Sequence, residues 1–435
     1  MMMTLERWLD LLEQRHPQEI DLGLQRCGIV FKRLGSPRPA KMVFTVAGTN
    51  GKGSTVAYLA ALCGALDQRH GTYTSPHIFK FNERISIMGE AVSDVCLVKA
   101  FEQVESARGD ISLTYFEFTT LAAFLIMHQA GLDCAVLEVG LGGRLDTVNL
   151  LDTDCAVITP IGLDHQDFLG PDLSSIATEK AGIIRRDTIL VCTEQFPPAE
   201  ILQTAEALDA PVLRRGMDFQ LAVATGLDAG MLQFSMAGVS MLIPYPPMAG
   251  QHQLDNLAVA LAATAQQYPE YALREAEIGK AILACRLAGR LQIVGHAPEI
   301  ILDVGHNELA ASAIAAYLHD KKQPKLTCVV AMLADKAVED VALALAGCCS
   351  QWICTGSPGS RGQSAEQLAE RIQSVLPDAS VNAAATMDDA MGSAISAADA
   401  DETILVFGSF TTVSAAADWL RNGKQRDTHD AARIT

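Results

Sequence analysis

The sequence has no excess of positive charge. Its 435 residues include 33 Lys and Arg against 51 Asp and Glu, which gives a net charge of -18. A protein that binds nucleic acid needs a basic face to neutralise phosphates, so this composition argues against a nucleic-acid partner. It is compatible with small anionic substrates, because a few local cations and helix N-termini suffice to bind them.

The sequence also lacks a cysteine framework, a signal core and a membrane span. Its 11 cysteines are scattered without a C-x-x-C pair, which is typical of reduced cysteines that serve as small apolar residues. The N-terminus has no apolar signal core, and the longest apolar runs, such as Leu121 to Met127, are too short to cross a bilayer. We therefore expect a cytoplasmic protein that binds no membrane, and we expect it to be a monomer.

The sequence does contain many apolar residues, and its hydrophobic fraction of 49% is enough for large buried cores. The chain is also too long for one ordinary domain. Apolar strand patterns alternate with helical patterns, which predicts an α/β fold with a mostly parallel sheet. Residues 217–243 lack this rhythm and indicate a small antiparallel excursion. We expect residues 1–286 to form one domain, 291–422 a smaller Rossmann-like α/β domain, and 423–435 a frayed tail.

The most specific stretch is a glycine-rich loop, Gly48-Thr49-Asn50-Gly51-Lys52-Gly53-Ser54. A strand pattern precedes it and a helical pattern follows, which is the context that a phosphate-binding loop requires. The glycines let backbone N–H groups surround phosphate oxygens, and Lys52 supplies a cation. The hydroxyls of Thr49 and Ser54 can meet phosphate or magnesium. The spacing departs from the usual G-x-x-x-x-G-K-[ST], and an ordinary tight turn with a surface lysine is the alternative.

Other polar residues follow predicted strands, namely Ser75, Glu138 and the pair Asp164-His165. Ligands of open α/β sheets bind at the carboxyl ends of the strands, so these side chains are expected to converge beside the phosphates. A hydroxyl, a carboxylate and an imidazole could then form a magnesium site. A helix cap or salt bridge for Glu138, and a backbone hydrogen bond for His165, are equally consistent with the spacing.

Several weaker features stay open on the residues alone. Gly140 to Asp146 is either a second anion loop or a bend that lets chain segments pack closely. Tyr115, Phe116 and Phe118 could stack on a flat aromatic ligand, although aromatic residues at a helix start more often belong to the core. Arg290 and Asp303 flank the domain boundary and could grip a nucleotide, but by default they are surface or packing residues.

The motifs along the chain resemble a known family in their order. They are Thr45 to Ser54, Thr74 to His77, Leu137 to Asp146, Leu163 to His165, Glu179 to Gly182, Gly289-Arg290, Asp303 to Asn307 and Gly408 to Phe410. This order resembles the folylpolyglutamate synthases of the Mur ligase superfamily, and most of all the bacterial bifunctional dihydrofolate synthase/folylpolyglutamate synthases. The stretch Ser106 to Glu117 is similar to the bifunctional members in particular. The fold implied is a Mur-ligase-like P-loop ATPase domain followed by a Rossmann-like domain.

The resemblance implies a role for each matching position. ATP would be bound by Thr49, Asn50, Gly51, Lys52, Gly53, Ser54, Asn256, Arg290 and Asp303. Mg²⁺ would be held by Ser75, Glu138 and His165. The pterin or folate substrate would contact Thr114, Tyr115, Phe116, Glu117, Leu145, Asp146 and Thr147. The catalytic residues would be Lys52, His165 and Lys180, the last as a carbamate formed with carbon dioxide.

The carbamate on Lys180 has a physical rationale as well as a family resemblance. A neutral amine can capture carbon dioxide and become an anion with two oxygens, which suits a magnesium site. A partly desolvated pocket would favour loss of the ammonium proton. On the sequence alone a plain lysine, paired with Glu179 or touching phosphate, is the simpler interpretation.

The implied activity is that of an ATP-dependent amide ligase. A substrate carboxylate would attack the γ-phosphate of ATP to form an acyl phosphate, and the amine of L-glutamate would displace the phosphate. The substrates would be 7,8-dihydropteroate and reduced folates, and the two domains would close during turnover to exclude water.

Three alternatives keep part of this interpretation. They are a monofunctional folylpolyglutamate synthase, a related ligase acting on another substrate such as a cell-wall precursor, and a P-loop NTPase or nucleotide-regulated binding protein. Two departures from the family pattern, Glu308-Leu309 in place of Pro-His and Thr411 in place of a histidine, concern the C-terminal domain.

Overall fold

The computed structural model describes residues 3–16, 18, 20–321 and 326–431. The described residues fall into two compact units. One unit runs up to Pro247 and includes His252 to Arg286; the other consists of Met248 to Gln251 and the described residues from Leu287 onward. The functions that the sequence assigns to the two domains stay predictions.

Among the described residues, the first unit has an eight-stranded sheet. Its strands are β1 (Ala40–Ala47), β2 (His70–Tyr73), β3 (Ile85–Ile87), β4 (Glu90–Ala91), β5 (Leu132–Glu138), β6 (Cys155–Ile158), β7 (Ile189–Cys192) and β8 (Val212–Arg214). The spatial order is β4-β3-β2-β5-β1-β6-β7-β8, and every pair from β2 to β8 is parallel. The carboxyl ends of β2, β5, β1 and β6 therefore lie along one edge.

Helices cover this sheet on both faces. The α-helices up to residue 286 are α1 (Leu5–Arg15), α2 (Gln25–Arg33), α3 (Lys52–Ala65), α4 (Asp94–Arg108), α5 (Tyr115–Ala130), α6 (Gln166–Leu169), α7 (Leu173–Ala181), α8 (Ala199–Ala207), α9 (Gln251–Gln267) and α10 (Glu275–Ala284). Short 3-10 turns cover Phe81–Arg84, Thr147–Leu150, Gly226–Asp228 and Pro269–Arg274. The apolar strands β1 and β5 are buried almost throughout, as parallel strands between two helical layers must be.

A small antiparallel sheet interrupts the alternation, as the sequence predicts for residues 217–243. It consists of β9 (Phe219–Val223), β10 (Leu232–Met236) and β11 (Val239–Ile243), with β10 in the middle. Gly238 has a φ of 76°, which allows the tight turn between β10 and β11.

The second unit is built on a six-stranded sheet within the described part of the chain. Its strands are β12 (Gln292–His296), β13 (Glu299–Asp303), β14 (Leu326–Val330), β15 (Cys349–Thr355), β16 (Ser380–Ala384) and β17 (Thr403–Phe407). Their order is β12-β13-β17-β14-β15-β16, parallel except for β12. The helices are α11 (Glu308–Asp320), α12 (Val338–Leu345), α13 (Ala365–Val375), α14 (Met387–Ala397) and α15 (Phe410–Ala431). The predicted mostly parallel α/β architecture of both parts is confirmed.

The ends of the chain and its cysteines add three observations. The predicted tail 423–435 begins inside α15, and residues 432–435 lie outside the described residues. The expectation of reduced cysteines is wrong for Cys328 and Cys349, which form a disulfide. These residues are far apart in sequence, but they lie on neighbouring strands with Cα atoms 6.2 Å apart. No helix in the described ranges is long and apolar enough to cross a membrane.

Candidate active site

The glycine-rich loop leaves the central strand β1 and enters α3, so it lies in the middle of the sheet edge. Gly51 has a φ of 87° and caps α3, and Lys52 is the first helical residue. The Lys52 ammonium donates to the carbonyls of Gly48 and Thr49, each at 3.0 Å. This folds the lysine back over its own loop, at the N-terminal end of a helix that favours anions.

Two glycines of the loop are required by close neighbours. A Cβ at Gly48 would lie 1.8 Å from Oγ1 of Thr159, and a Cβ at Gly51 would lie 2.4 Å from Oδ1 of Asn256. Asn256 is buried in α9, with an exposed fraction of 2%. Asn256 therefore lies directly against the loop, and its contact with ATP stays a prediction.

The remaining predicted ATP residues of the loop have unequal roles in the fold. The Thr49 hydroxyl donates to the Gly162 carbonyl and accepts from the Gly162 N–H, both at 3.0 Å. This ties the loop to the segment after β6. Ser54 is buried in the first turn of α3, and Asn50 and Gly53 flank the Gly51-Lys52 pair.

The three predicted magnesium ligands lie at the end of β5 and in the segments after β2 and β6, on either side of β1. Glu138 is buried at the end of β5, and its Oε2 accepts from the Ser75 N–H at 3.2 Å. His165 has a φ of 51°, and its N–H donates to the Asp164 carboxylate at 2.9 Å. In the part of the chain that the structure describes, no group of three His, Cys, Asp or Glu side chains is arranged to hold a metal ion by itself. The assignment of the three residues as magnesium ligands stays a prediction.

Lys180 lies on α7 and points into the loop. Its ammonium donates to the Gly48 carbonyl at 2.9 Å, the same oxygen that accepts from Lys52, and the residue is buried. Burial and, after it, the positive charge of Lys52 lower the pKa of Lys180 to about 7. The structure thus brings the two predicted catalytic lysines together and favours a neutral amine on Lys180.

The predicted pterin residues at the start of α5 include a helix cap. The Thr114 hydroxyl accepts from the Glu117 N–H at 3.2 Å, and the Glu117 carboxylate accepts from the Thr114 N–H at 2.8 Å. Arg26 of α2 donates to the same carboxylate at 3.0 Å. These hydrogen bonds fix the N-terminal end of α5. Thr114 and Glu117 are buried, whereas Tyr115 and Phe116 between them are half-buried.

The glycine-rich loop from Gly140 to Asp146, which leads into the second predicted pterin stretch, packs against α7 and Phe116. A Cβ at Gly143 would lie 2.6 Å from the Glu179 carbonyl, and one at Gly140 would lie 2.5 Å from the Phe116 ring. The loop therefore shows the close packing that one of its two interpretations predicted. Leu145 is half-buried and Thr147 buried.

Asp146 is the buried charge of this loop. Its carboxylate accepts from the N–H groups of Leu141 and Val148, each at 2.9 Å. Burial raises the pKa of Asp146 to about 6, because the apolar surroundings disfavour the charged form. The negative charge of Asp146 also acts on Lys180, where it raises the pKa and so opposes the effect of burial.

Arg290 and Asp303 belong to the second unit. The Asp303 carboxylate accepts from the N–H groups of Leu291 at 2.8 Å and Gly305 at 2.7 Å, and the Arg290 guanidinium lies 5.7 Å from the centre of the Phe410 ring. Their role in ATP binding stays a prediction.

The two departures from the family pattern lie near these residues. Glu308 and Leu309 open α11 behind the Asn307 cap, and the Thr411 hydroxyl hydrogen bonds that of Ser409 at 2.9 Å.

Two arginines near the predicted site were not singled out from the sequence. Arg26 pairs with Glu117, and Arg84 lies over the Tyr115 ring at 5.4 Å. Neither belongs to a recognisable motif. A single arginine at the start of a helix or strand gives no sign of burial, so only the tertiary structure identifies them.

Comparison with known proteins agrees with this geometry. Residues 46–264 match the Mur ligase middle domain and residues 289–410 match the Mur ligase glutamate ligase domain. The chain is 40% identical over 411 residues to the dihydrofolate synthase/folylpolyglutamate synthase of Escherichia coli, covering 94% of both chains. It is 30% identical to the folylpolyglutamate synthase of Lacticaseibacillus casei, covering 90% of this chain and 92% of the relative.

Solved structures give the same result. The E. coli FolC complex with DHPP and ADP superimposes with a TM-score of 0.90 and 38% identity, covering 97% of this chain and 99% of that chain. The bifunctional enzyme of Yersinia pestis, complexed with AMPPNP and a Mn ion, superimposes with a TM-score of 0.87 and 39% identity, covering 96% and 98%. The chain therefore belongs to the dihydrofolate synthase/folylpolyglutamate synthase family of the Mur ligases.

Proposed function

We propose that this protein is an ATP-dependent ligase that adds L-glutamate to 7,8-dihydropteroate, giving dihydrofolate, and to reduced folates, giving folylpolyglutamates. The observation that carries the proposal is the convergence of the phosphate loop, Lys180 and Glu138 at one sheet edge. Relatives that match nearly the whole chain are named for both activities. Structures of similar proteins contain ADP, AMPPNP, Mn, DHPP and L-glutamate.

The roles of the loop residues follow from charge and geometry. Lys52, at the start of α3, would bind the β- and γ-phosphates and balance negative charge on the transferring group. The carboxylate of the pterin substrate attacks the γ-phosphorus, the bond to ADP breaks, and an acyl phosphate forms. The amine of glutamate then attacks the acyl carbon, loses a proton, and expels inorganic phosphate.

The residues at the strand ends suit a hard cation. Ser75 and Glu138 supply adjacent oxygen ligands and His165 a nitrogen, so these three would hold Mg²⁺. When bound, the ion neutralises phosphate charge.

Lys180 would act as a carbamate. The shared Gly48 carbonyl places its amine beside a second cation in a buried pocket, which favours the neutral form that reacts with carbon dioxide. We include in the proposal that the protein is monomeric and cytoplasmic, and that Arg290 and Asp303 contact ATP.

The acyl phosphate makes a distinct prediction for an isotope experiment. Dihydropteroate labelled with ¹⁸O in its carboxylate should transfer one labelled oxygen to inorganic phosphate in each turnover. Mass analysis of the phosphate measures this transfer. Turnover that releases only unlabelled phosphate would contradict activation of the carboxylate by ATP.

A further inference from the structure

Cys63 and Cys134 form a buried pair of thiols that the proposed mechanism does not use. Their Sγ atoms lie 3.2 Å apart, and both residues are fully buried. Neither belongs to a disulfide, in contrast to Cys328 and Cys349. In the described part of the chain, no third His, Cys, Asp or Glu joins them to form a metal site. The chemistry that this arrangement favours is therefore that of two thiols, which is the formation of a disulfide.

The pair connects two elements that carry predicted site residues. Cys63 lies in the last turn of α3, the helix that begins at Lys52 of the phosphate loop. Cys134 lies on β5, the strand that ends at Glu138. A bond between the two sulfurs would therefore join the helix of the loop to the strand of a predicted magnesium ligand.

The side chain of Tyr268 reaches this pair. Tyr268 follows α9 and is half-buried, but its hydroxyl is buried close to Cys134 and makes no hydrogen bond of normal geometry among the described residues. A thiol is only a weak acceptor, and a buried hydroxyl without a good acceptor is costly. A sulfenic acid, S–OH, carries an oxygen that would accept from this hydroxyl. The site is therefore better suited to an oxidised sulfur than to two plain thiols.

Access to the sulfurs decides which oxidant fits. Burial excludes bulky disulfides, whereas hydrogen peroxide is small and uncharged. It oxidises one thiol to a sulfenic acid with release of water, and the second sulfur then closes the S–S bond as a second water leaves. The hydrogen bond with Cys63, followed by burial, raises the pKa of Cys134 well above its ordinary value. Since the thiolate is the reactive form, the reaction is slow at neutral pH and becomes faster as the pH rises.

Closure of the bond would move α3 relative to β5. A disulfide holds its sulfurs about 2.0 Å apart, so the two elements must approach by about 1 Å at this point. The helix is closely packed here, because a Cβ at Gly64 would lie 3.0 Å from Cε1 of His70. Tight packing leaves little free volume to absorb the movement, so it is transmitted along α3 to the phosphate loop at the other end.

We propose that Cys63 and Cys134 are a redox-sensitive pair, which a small peroxide converts into a disulfide and a dithiol reductant reopens. The closed form is a poorer ligase, because α3 no longer holds the phosphate loop in its position relative to Glu138. The disulfide itself does not depend on the proposed function, whereas the loss of activity rests on it.

The test treats reduced protein with hydrogen peroxide and follows both the bond and the activity. Peptide mapping by mass spectrometry should show the peptides of Cys63 and Cys134 joined by a disulfide. In the closed form, kcat/KM for ATP should be about tenfold lower than in the reduced protein, since small misplacements of reacting groups are costly. Dithiothreitol should restore the reduced value, which it cannot do for oxidised methionines.

Variants separate this bond from other oxidation. Cys134→Ala should form no disulfide at Cys63 and should keep its activity in peroxide, and Cys63→Ala should behave in the same way if the first variant does not fold. Tyr268→Phe keeps both thiols and should slow disulfide formation about threefold to tenfold. Cys155→Ala removes a buried thiol of β6 from outside the pair and should respond like wild type.

Three results would overturn the proposal. One is a pair that stays reduced in wild-type protein while other cysteines are oxidised, and another is a closed pair with unchanged kcat/KM. The third is an equal loss of activity in wild type and folded Cys134→Ala, which would assign the loss to oxidation elsewhere. A reduced wild-type protein that adds glutamate to neither natural substrate would instead overturn the proposed function, and the disulfide would still be detected by mass.

Discussion

At the scale of single residues, the candidate site contains two lysines that share one acceptor. Lys52 and Lys180 both donate to the Gly48 carbonyl, at 3.0 and 2.9 Å. Two ammonium groups on one oxygen repel each other, and the more buried one loses its proton more readily. This arrangement favours different charges on the two side chains, which their proposed roles require.

Lys52→Ala should keep the fold and lose activity. The side chain is only half-buried, but its charge acts on the phosphoryl group during transfer, so we expect kcat to fall by at least about a hundredfold. Lys41→Ala is the matched control, since Lys41 is an exposed lysine of the same strand-loop-helix unit that pairs with Asp133. Steady-state kinetics and thermal unfolding check both variants. Near-normal turnover of folded Lys52→Ala would remove this lysine from the mechanism.

Lys180 should form a carbamate in a pH-dependent way. Its pKa of about 7 in the folded protein lies below the ordinary value of 10.5, so the neutral amine gains population as the pH rises through about 7. With ¹³C-labelled carbon dioxide, the NMR signal of a carbamate should grow over that pH range and be missing in Lys180→Ala. The same pKa means that the folded protein binds fewer protons than the unfolded chain from pH 7 to 10.5. This group therefore favours folding more as the pH rises through that window.

Activity measurements separate a carbamate from a cation at position 180. Lys180→Ala should be nearly inactive, and acetate or another small carboxylate should restore part of its activity. Lys180→Arg should stay inactive, since it keeps the positive charge but cannot take up carbon dioxide. Full activity of Lys180→Arg would show that a cation suffices.

At the scale of elements, the strand-loop-helix unit around β1 was predictable because its pattern is local. The apolar run, the glycines and the helical spacing follow one another directly in the sequence. The structure places β1 and α3 at these positions. By contrast, β16 and α14 were not predicted. β16, Ser380–Ala384, is a partly exposed edge strand without an apolar run, and α14 is rich in small and acidic residues with weak periodicity.

Gly51→Ala tests the close approach in the phosphate loop. The new methyl group would meet Oδ1 of Asn256 at 2.4 Å and would have to adopt a φ of 87°. We expect ADP affinity to fall by at least about tenfold, because the loop must open to relieve the contact. Gly89→Ala is the control, with a φ of 81° and no neighbouring atom within 4 Å. Calorimetric titration with ADP should therefore separate the two variants, and equal affinities would contradict the role of the contact.

The cap of α5 allows a similar separation of stability from substrate binding. Thr114→Ala should lower the free energy of unfolding by about 1 kcal/mol, because the Glu117 N–H loses its acceptor. Ser93→Ala removes the corresponding cap of α4 and should cost a similar amount. If Thr114 also contacts the pterin, only Thr114→Ala should raise the KM for dihydropteroate. Equal KM values in the two variants would restrict Thr114 to capping.

At the scale of the whole molecule, the sequence predicts the α/β class, the parallel sheets and the sheet edge where the candidate site residues lie. Strand order is what brings Ser75, Glu138 and the loop together, and no local pattern encodes it. The disulfide between Cys328 and Cys349 and the burial of Arg84 depend on the same long-range pairing. These features could therefore be recognised only once the strands were in place.

The central claim is that one chain carries out both glutamate additions. The most direct measurement mixes the protein with ATP, magnesium and L-glutamate, adds either dihydropteroate or tetrahydrofolate, and determines the product masses. The account predicts one added glutamyl residue on each substrate, with ADP and phosphate released in equal amounts. Glutamate addition to tetrahydrofolate with dihydropteroate inert at saturating ATP would make the enzyme monofunctional, and ATP hydrolysis without either product would contradict the ligase assignment altogether.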